Sequence, residues 1–281
     1  MEGFLFLLGF VVLIKGADWL VAGSAAIAKK NNISNLVVGL TIVSMGTSMP
    51  ELIVNVLASS KDVSQIAIGN ILGSNIANIL LILGVAAFIY PIIIKQSTVF
   101  YEIPYSIIAL LLVTFLANSN FWGSNPNTIH QTDGILLIAF FGLFIVYIIK
   151  LAKNGKADIL DEVPSAEITT IKSVFMVVFG MVGLFFGGQW VVDGAIVAAN
   201  HFGLSEAFIG LTVVAIGTSL PELVTSAVAA YKKNTDIAMA NVIGSNIFNL
   251  LWVLGISAII KPVEFDPKLN VDVFILVGAS C

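Results

Sequence analysis

Apolar stretches of about 17 to 25 residues recur along most of the chain, and short polar segments separate them. Each stretch is long enough to cross the roughly 30 Å hydrocarbon core of a bilayer as a helix. Inside lipid every backbone hydrogen bond must be satisfied within the protein, so this sequence favours membrane-spanning helices. The predicted spans are Phe4–Ile27, Leu36–Ser59, Ile66–Tyr90, Val99–Ala117, Gly134–Leu151, Val174–Ala199, Ala207–Tyr231 and Ile237–Ile260, with a ninth that begins near Val271.

The composition excludes an ordinary soluble fold. Only 11% of the 281 residues are charged and 58% are hydrophobic, whereas a soluble domain carries about 25% charged residues. Glu2 is the only charge before the first apolar run, which is longer than the core of a signal peptide, so we predict that it stays as a helix. The single cysteine, Cys281, cannot form an intrachain disulfide.

Two parts of the chain are copies of one unit. A shift of 171 positions aligns residues 16–92 with 187–263 without a gap, and about 32 of those 77 positions are identical. The first unit holds five predicted spans, an odd number, so the second copy must enter the bilayer from the opposite side. We therefore predict an all-α polytopic membrane protein with two inverted-topology repeats, an arrangement typical of secondary transporters.

The repeat also predicts the boundaries of the units. The first repeat, with helices 1 to 5, occupies residues 1–152, a linker occupies 153–172, and the second repeat occupies 173–281. By the same shift Cys281 corresponds to Leu110. We expect the second repeat to be incomplete in this sequence, with helix 9 cut and helix 10 absent.

The lysines predict the orientation of the chain. If the spans are right, nine lysines lie on one side, three lie on the other, and Lys15 falls within a span. By the positive-inside rule the richer side is cytoplasmic, which places the N-terminus outside, the linker inside and the protein in the cell membrane. The two groups are Lys29, Lys30, Lys95, Lys150, Lys153, Lys156, Lys172, Lys232 and Lys233 against Lys61, Lys261 and Lys268.

The acidic residues of the linker allow two interpretations. They are compatible with a regulatory cation site, but the segment has the composition of a solvated linker, which we favour. The residues concerned are Asp158, Asp161, Glu162 and Glu167.

A proline next to a glutamate occurs at the same position of both copies. Proline has no backbone N–H, so Pro50 deprives the carbonyl of Gly46 of its helical partner, and Pro221 does the same to Gly217. Such a carbonyl is costly in lipid unless protein, water or an ion satisfies it. Hydroxyl and carboxylate groups lie within about one turn of each break, and these residues are Thr47, Ser48 and Glu51 in the first copy and Thr218, Ser219 and Glu222 in the second.

Oxygen atoms alone make up this cluster, which suits hard cations such as Ca²⁺ and Na⁺ rather than Zn²⁺ or Cu⁺. A lone glutamate at membrane depth could be protonated and structural. Because Glu51 and Glu222 occupy equivalent positions of the two copies, we predict that both are functional.

The following span adds polar residues that are four apart and so share a helix face. These are Ser74 with Asn78, repeated as Ser245 with Asn249. They are candidate ligands, although serine and asparagine in membrane helices often only join helices together. We interpret the neighbouring asparagines as helix-packing residues, and Gly69-xxx-Gly73 and Ala240-xxx-Gly244 as close-packing faces; these asparagines are Asn70, Asn75, Asn241 and Asn246.

Other ionisable residues are assigned structural or near-interface positions. Lys15 and Asp18 are three apart in the first span, so they could neutralise one another. Asp193 has no acidic equivalent in the first copy, since its counterpart is Ala22. His130 and His201 fall in predicted connections.

The segments GTSMPE with GSNIAN, and GTSLPE with GSNIFN, resemble the paired α-repeats of the Ca²⁺/cation antiporter superfamily, in particular the prokaryotic sodium/calcium exchangers. The resemblance covers both repeats. It implies ten helices, an outside N-terminus and a central site in which Na⁺ and Ca²⁺ compete as transported ions, with no cofactor. The ligands it implies are Thr47, Ser48, Glu51, Ser74, Asn78, Thr218, Ser219, Glu222, Ser245 and Asn249, with the backbone oxygens of Ser44 and Ala215.

One position departs from part of that family. Some such exchangers carry aspartate where this chain has Asn249. The site then has two formal carboxylates, which one Ca²⁺ or two Na⁺ would neutralise. The sequence therefore leaves the cation stoichiometry open.

The leading hypothesis is a secondary antiporter that exports Ca²⁺ in exchange for Na⁺ by alternating access. Proton-coupled exchange on the same scaffold is the close alternative, because a glutamate pair can carry H⁺ as well as Na⁺. A passive cation channel is a further alternative, which the inverted repeat disfavours. An enzyme is disfavoured because the predicted spans contain no nucleophile–base pair. We expect the partners to be these ions and the lipid bilayer, without nucleic acid or an obligate protein partner.

Overall fold

The computed structural model describes residues 2–60, 64–119, 127–154, 168–201 and 215–280. Helices dominate, as the apolar stretches predict. Six of them are long and apolar enough to cross a membrane, and a seventh crossing is possible if one bent pair forms a single span. The helices are α1 (Glu2–Lys30), α2 (Asn35–Thr47), α3 (Met49–Ser60), α4 (Ser64–Ala77, Asn78–Ile82 and Leu83–Ile89), α5 (Thr98–Asn118), α6 (Gln131–Asn154), α7 (Thr170–His201), α8 (Ala215–Thr218), α9 (Leu220–Tyr231), α10 (Thr235–Ile260) and α11 (Asn270–Ser280).

The predicted spans agree with these helices to within a few residues, with two exceptions. The start of the predicted span Ala207–Tyr231 lies outside the described residues, which resume with α8. His201 was expected in a connection, but it is the last residue of α7, because that helix continues past the apolar run. Most of the predicted linker, 155–167, also lies outside the described part.

The predicted span Leu36–Ser59 is broken in the middle. Helices α2 and α3 meet at an angle of 47°. Ser48 lies at the break with φ −83° and ψ 11°, outside the helical region. Ser219 has nearly the same conformation, φ −89° and ψ 4°, between α8 and α9. Proline follows each serine by two positions, so the missing backbone N–H explains a break at the same place in both copies.

The equivalent helices α1 and α7 pack side by side through glycine. A Cβ atom on Gly9 would lie 3.0 Å from the carbonyl oxygen of Gly187, and one on Gly16 would lie 2.8 Å from that of Gly180. As positions increase along α1, the positions contacted along α7 decrease. The two helices are therefore antiparallel, so equivalent helices of the two copies run in opposite directions, as inverted repeats require.

Helix α10 lies in the interior and packs closely on α2. The Gly244 backbone approaches α2 so closely that a Cβ there would lie 2.6 Å from Ser44 Oγ. The predicted close-packing face of α10 is thus found. No described atom lies within 4 Å of a Cβ built on Gly69 or Gly73. The second-copy segment that the repeat shift pairs with residues 36–43, namely 207–214, lies outside the described part, so the close-packing face predicted on α4 stays a prediction.

Asp18 does not pair with Lys15, contrary to the prediction. Its carboxylate forms an ion pair with Lys232 Nζ at 2.6 Å, and Lys232 Nζ also donates a hydrogen bond to the Asp18 backbone carbonyl at 3.1 Å. Lys95 and Asp236 form a second ion pair at 2.8 Å. Both pairs join segments that are far apart in sequence, which a three-residue spacing argument cannot detect.

A small antiparallel β pair was not anticipated. Thr128–Ile129 pairs with Val263–Glu264, so that Ile129 faces Val263 in register. The pair joins the segment before α6 to the segment after α10, and α6 then packs on α10 where Gly134 meets Gly255. All other regular elements among the described residues are helices.

The glycine contacts between α1 and α7 predict a selective effect on stability. Gly16→Ala should lower the thermal unfolding midpoint, because its Cβ would lie 2.8 Å from backbone atoms of both Gly180 and Leu184. Overpacking of this kind costs about 1–3 kcal/mol. The matched control is Gly142→Ala in α6, where no described atom lies within 4 Å and the residue is exposed. That control should leave the midpoint unchanged or raise it, since alanine favours helix by about 1 kcal/mol over glycine. Equal midpoints for the two variants would contradict the close approach.

Candidate functional site

The two broken helices place a glutamate at the start of a helix in each copy. Glu51 lies in the first turn of α3 and Glu222 in the first turn of α9. The unpaired N–H groups of a helix N-terminus give it partial positive charge, which favours a carboxylate there. The relative exposures of Glu51 and Glu222 are 0% and 1%. The proline break thus supplies local electrostatic support at the place where an acidic group is buried.

Each carboxylate accepts a hydrogen bond from the other copy. Ser48 Oγ donates to Glu222 Oε1 at 2.7 Å, and Ser219 Oγ donates to Glu51 Oε1 at 3.3 Å. The repeat alignment pairs Ser48 with Ser219 and Glu51 with Glu222, so the second bond is the first with the copies exchanged. Such an exchange is what a two-fold relation between the copies produces. The carboxylates therefore meet at the junction of the two units.

Five buried oxygen atoms of the predicted ligand residues have no hydrogen-bond partner among the described residues. Buried polar atoms are almost always paired, so these unpaired acceptors call for an explanation. Carboxylate, hydroxyl and amide oxygens are the ligands of hard cations. The atoms are Glu51 Oε2, Glu222 Oε2, Ser74 Oγ, Asn78 Oδ1 and Asn249 Oδ1.

Four asparagines connect α4 and α10 by crossed hydrogen bonds. Asn78 Nδ2 donates to Asn246 Oδ1 at 2.9 Å, and Asn249 Nδ2 donates to Asn75 Oδ1 at 3.2 Å. Asn75 Nδ2 donates to the Asn246 carbonyl at 3.2 Å, and Asn246 Nδ2 donates to the Asn75 carbonyl at 3.4 Å. The repeat shift of 171 positions converts the first of these bonds into the second and the third into the fourth. Asn78 and Asn249 lie in π-helical turns, Asn78–Ile82 and Phe248–Val253, an irregularity that is frequent at functional sites.

The remaining predicted site residues make internal hydrogen bonds. The Ser44 carbonyl accepts from Thr47 Oγ1 at 3.2 Å, from Ser245 Oγ at 3.5 Å and from the backbone N–H of Ser48 at 3.0 Å. Thr218 Oγ1 donates to Asn70 Oδ1 at 3.4 Å. Ala215 begins α8. Hydrogen bonds thus join first-copy and second-copy residues, Ser44 with Ser245 and Asn70 with Thr218, while Ser74 Oγ is unpaired among the described residues.

The backbone carbonyls of the two glutamates are held differently. Asn55 Nδ2 donates to the Glu51 carbonyl at 2.7 Å, from the next turn of the same helix. In the second copy Asn241 Nδ2 donates to the Glu222 carbonyl at 3.4 Å and to Ser226 Oγ at 2.9 Å. Neither Asn55 nor Ser226 is among the residues predicted from the sequence, although each follows a glutamate by four positions and so shares its helix face.

A third buried carboxylate lies elsewhere. Glu102 is fully buried at the start of α5, and Tyr147 of α6 donates its hydroxyl to Glu102 Oε1. Asp193 is exposed on α7, and His130 precedes α6 outside the network. No three acidic, histidine or cysteine residues within the described ranges come together as a metal-binding group. Glu102 is not among the residues predicted from the sequence, although a lone glutamate in the fourth predicted span was a signal that could have found it.

Comparison with known proteins gives a consistent result. The family model described as "Sodium/calcium exchanger protein" matches residues 2–150 and 172–281. The putative antiporter CaxA of Alkalimonas amylolytica is 41% identical over 282 residues, which cover 98% of this chain and 86% of that protein. The inner membrane protein YrbG of Escherichia coli (strain K12) is 37% identical, over 94% of this chain and 81% of YrbG.

A relative with a named transport activity and a solved structure also match. The sodium/calcium exchanger MaX1 of Methanosarcina acetivorans is 33% identical, over 92% of this chain and 83% of MaX1. The structure of the sodium-calcium exchanger NCX_Mj, soaked with Na⁺ and without Ca²⁺, superposes with a TM-score of 0.84 at 34% identity. That superposition covers 99% of this chain and 88% of NCX_Mj.

Proposed function

Because this chain belongs to the sodium/calcium exchanger family, we propose that it exports Ca²⁺ from the cell in exchange for Na⁺. As a member of that family it is a multi-span membrane transporter of cations and not an enzyme. The direction of transport, the coupling to Na⁺ and the ion ligands are parts of the proposal.

The observation that carries the proposal is the group of unpaired oxygens beside the crossed serine–glutamate bonds. Glu51 and Glu222 each use one carboxylate oxygen to accept a serine hydroxyl, while the other oxygen is unpaired among the described residues. A dehydrated Ca²⁺ takes 6 to 8 oxygen ligands, and charged ligands raise its affinity. Two carboxylates, three further unpaired oxygens and nearby hydroxyls supply this chemistry in a buried place.

The proposed ligand set contains the unpaired oxygens and also oxygens that take part in hydrogen bonds within the protein in this structure. Reorientation of a hydroxyl would release it from its present acceptor toward an ion, so different ions can use different subsets. This gives competing Ca²⁺ and Na⁺ sites within one cluster. The set is Thr47, Ser48, Glu51, Ser74, Asn78, Thr218, Ser219, Glu222, Ser245 and Asn249, with the carbonyls of Ser44 and Ala215.

Charge balance gives the reason for exchange. One Ca²⁺ or two Na⁺ neutralise Glu51 and Glu222, and the neutral complex can move through an apolar interior at low cost. Two unneutralised buried carboxylates would resist the same movement. Movement without bound ions is thereby suppressed, which makes the flux of one ion depend on the other.

Alternating access is proposed to use the inverted copies. The antiparallel pair α1 and α7 packs through glycine backbones, so it can move as one body relative to the four site-bearing segments. In this proposal the N-terminus is outside and the linker at 153–172 is cytoplasmic, as the lysine distribution predicts. Repeat one occupies 1–152 and repeat two 173–281.

Removal of either carboxylate should abolish high-affinity Ca²⁺ binding. Opposite unit charges 4 Å apart attract by about 4 kcal/mol in a partly shielded protein environment. Glu51→Gln and Glu222→Gln should therefore each weaken ⁴⁵Ca²⁺ binding to the purified chain by at least about 100-fold. The matched control Glu264→Gln, at an exposed position of the short β pair, should bind as the parent does. Unchanged affinity in both site variants would overturn the ligand assignment.

Coupling to Na⁺ predicts a specific flux pattern. In vesicles that contain the reconstituted protein, uptake of ⁴⁵Ca²⁺ should start when internal Na⁺ is high and external Na⁺ is low. Replacing internal Na⁺ by K⁺ should stop it, because the proposed exchange uses Na⁺ as the counter-ion.

Two other outcomes would contradict sodium coupling. Uptake that ignores Na⁺ and follows an imposed pH gradient would indicate proton-coupled exchange on the same scaffold. Uptake that needs neither gradient would indicate a passive cation pathway.

A further inference from the structure

We propose that Asn75 and Asn246 are positioning residues, each of which turns the amide oxygen of one ion ligand toward the transported cation. Asn246 acts on Asn78, and Asn75 acts on Asn249. The inference rests on the proposed function, and it assigns a role to two residues that the sequence alone indicated only as helix packing.

The orientation of the first pair follows from a backbone atom. The Asn75 carbonyl can only accept a hydrogen bond, so the end of the Asn246 side chain that lies 3.4 Å from it must be the NH₂ group. The other end of that side chain is therefore the oxygen. This oxygen lies 2.9 Å from the Asn78 amide, which must present its own NH₂ group to it. The Asn78 oxygen is thereby left on the opposite side.

The second pair repeats the argument with the copies exchanged. The Asn246 carbonyl fixes the NH₂ end of Asn75 at 3.2 Å, and Asn75 Oδ1 then fixes the NH₂ end of Asn249 at 3.2 Å. The ligand oxygens Asn78 Oδ1 and Asn249 Oδ1 are both buried and unpaired among the described residues. Two independent chains of bonds thus produce the same result at the two ligands.

The orientation matters because an amide has two different faces. Its oxygen attracts a cation, while its NH₂ group carries partial positive charge and repels it. Rotation of the amide by 180° exchanges them with almost no change of shape, so packing alone cannot choose between them. A hydrogen-bond acceptor placed behind each ligand makes the choice. Outer residues that orient metal ligands in this way typically contribute 10- to 100-fold in metal affinity.

A double-mutant cycle tests this role with ⁴⁵Ca²⁺ binding to the purified full chain as the readout. Asn246→Ala should weaken binding by about 10-fold or more, and Asn78→Ala should weaken it as well. If Asn246 acts through Asn78, the double variant should bind no worse than Asn78→Ala alone. Because contacting residues couple in any case, the discriminating result is the comparison with the other ligand: a role in general helix packing would give Asn246→Ala the same loss on the Asn78→Ala and Asn249→Ala backgrounds.

The crossed combination is the internal control. Asn246→Ala with Asn249→Ala joins a positioning residue to the ligand of the other pair, so here the losses should add. Asn75→Ala with Asn249→Ala should behave as the first cycle does, and it provides the test if Asn246→Ala fails to fold. The surface pair Asn118 and Asn270 also exchanges two side-chain hydrogen bonds, at 3.0 and 3.1 Å. Asn118→Ala should therefore leave Ca²⁺ affinity unchanged.

The outcomes separate this inference from the proposed function. Absence of Ca²⁺ binding by the parent protein would overturn both. Binding by the parent with additive losses in the matched cycles, or with no loss in Asn246→Ala and Asn75→Ala, would overturn the positioning role and leave the proposed function standing.

Discussion

Two carboxylates share one apolar interior in this protein, and most of its central structure can be understood as compensation for them. Burying even one ionised carboxylate without partners costs several kcal/mol. Glu51 and Glu222 each receive a serine hydroxyl from the opposite copy and the positive end of their own helix. Those groups reduce the cost, but they bring no full positive charge. In the proposed function a bound cation would supply the missing positive charge, and the proline breaks place both helix N-termini beside the carboxylates.

The two-fold relation between the copies is close at the site and weak away from it. The repeat shift turns each serine–glutamate and asparagine–asparagine bond of one copy into its counterpart in the other, and Ser48 and Ser219 have nearly the same backbone conformation. The glutamate carbonyls are instead held by Asn55 in one copy and by Asn241 in the other. A shared ion requires symmetric ligands, whereas the surrounding helices need only fill space.

The sequence was sufficient for the features that depend on local chemistry. Long apolar runs predicted the helices, Pro50 and Pro221 predicted the breaks, and the repeat predicted that Glu51 and Glu222 are equivalent. It was insufficient where the decisive partner is distant in the chain. Spacing suggested Lys15 as the partner of Asp18, but Lys232 is closer in space. The sequence likewise does not show which way a side-chain amide points, because its oxygen and its NH₂ group belong to the same side chain.

The asparagine network also bears on the charge of the site. Asn75 Oδ1 points at the Asn249 side chain, so position 249 must offer a hydrogen-bond donor. Ionised aspartate at this position would place oxygen against oxygen, and Asn75 could not rotate without turning its own oxygen toward the Asn246 carbonyl. The amide at position 249 and the orientation of the Asn75 side chain therefore depend on each other. In the proposed mechanism the site therefore has two carboxylates, whose charge one Ca²⁺ or two Na⁺ would neutralise, while a third Na⁺ would leave a net positive charge.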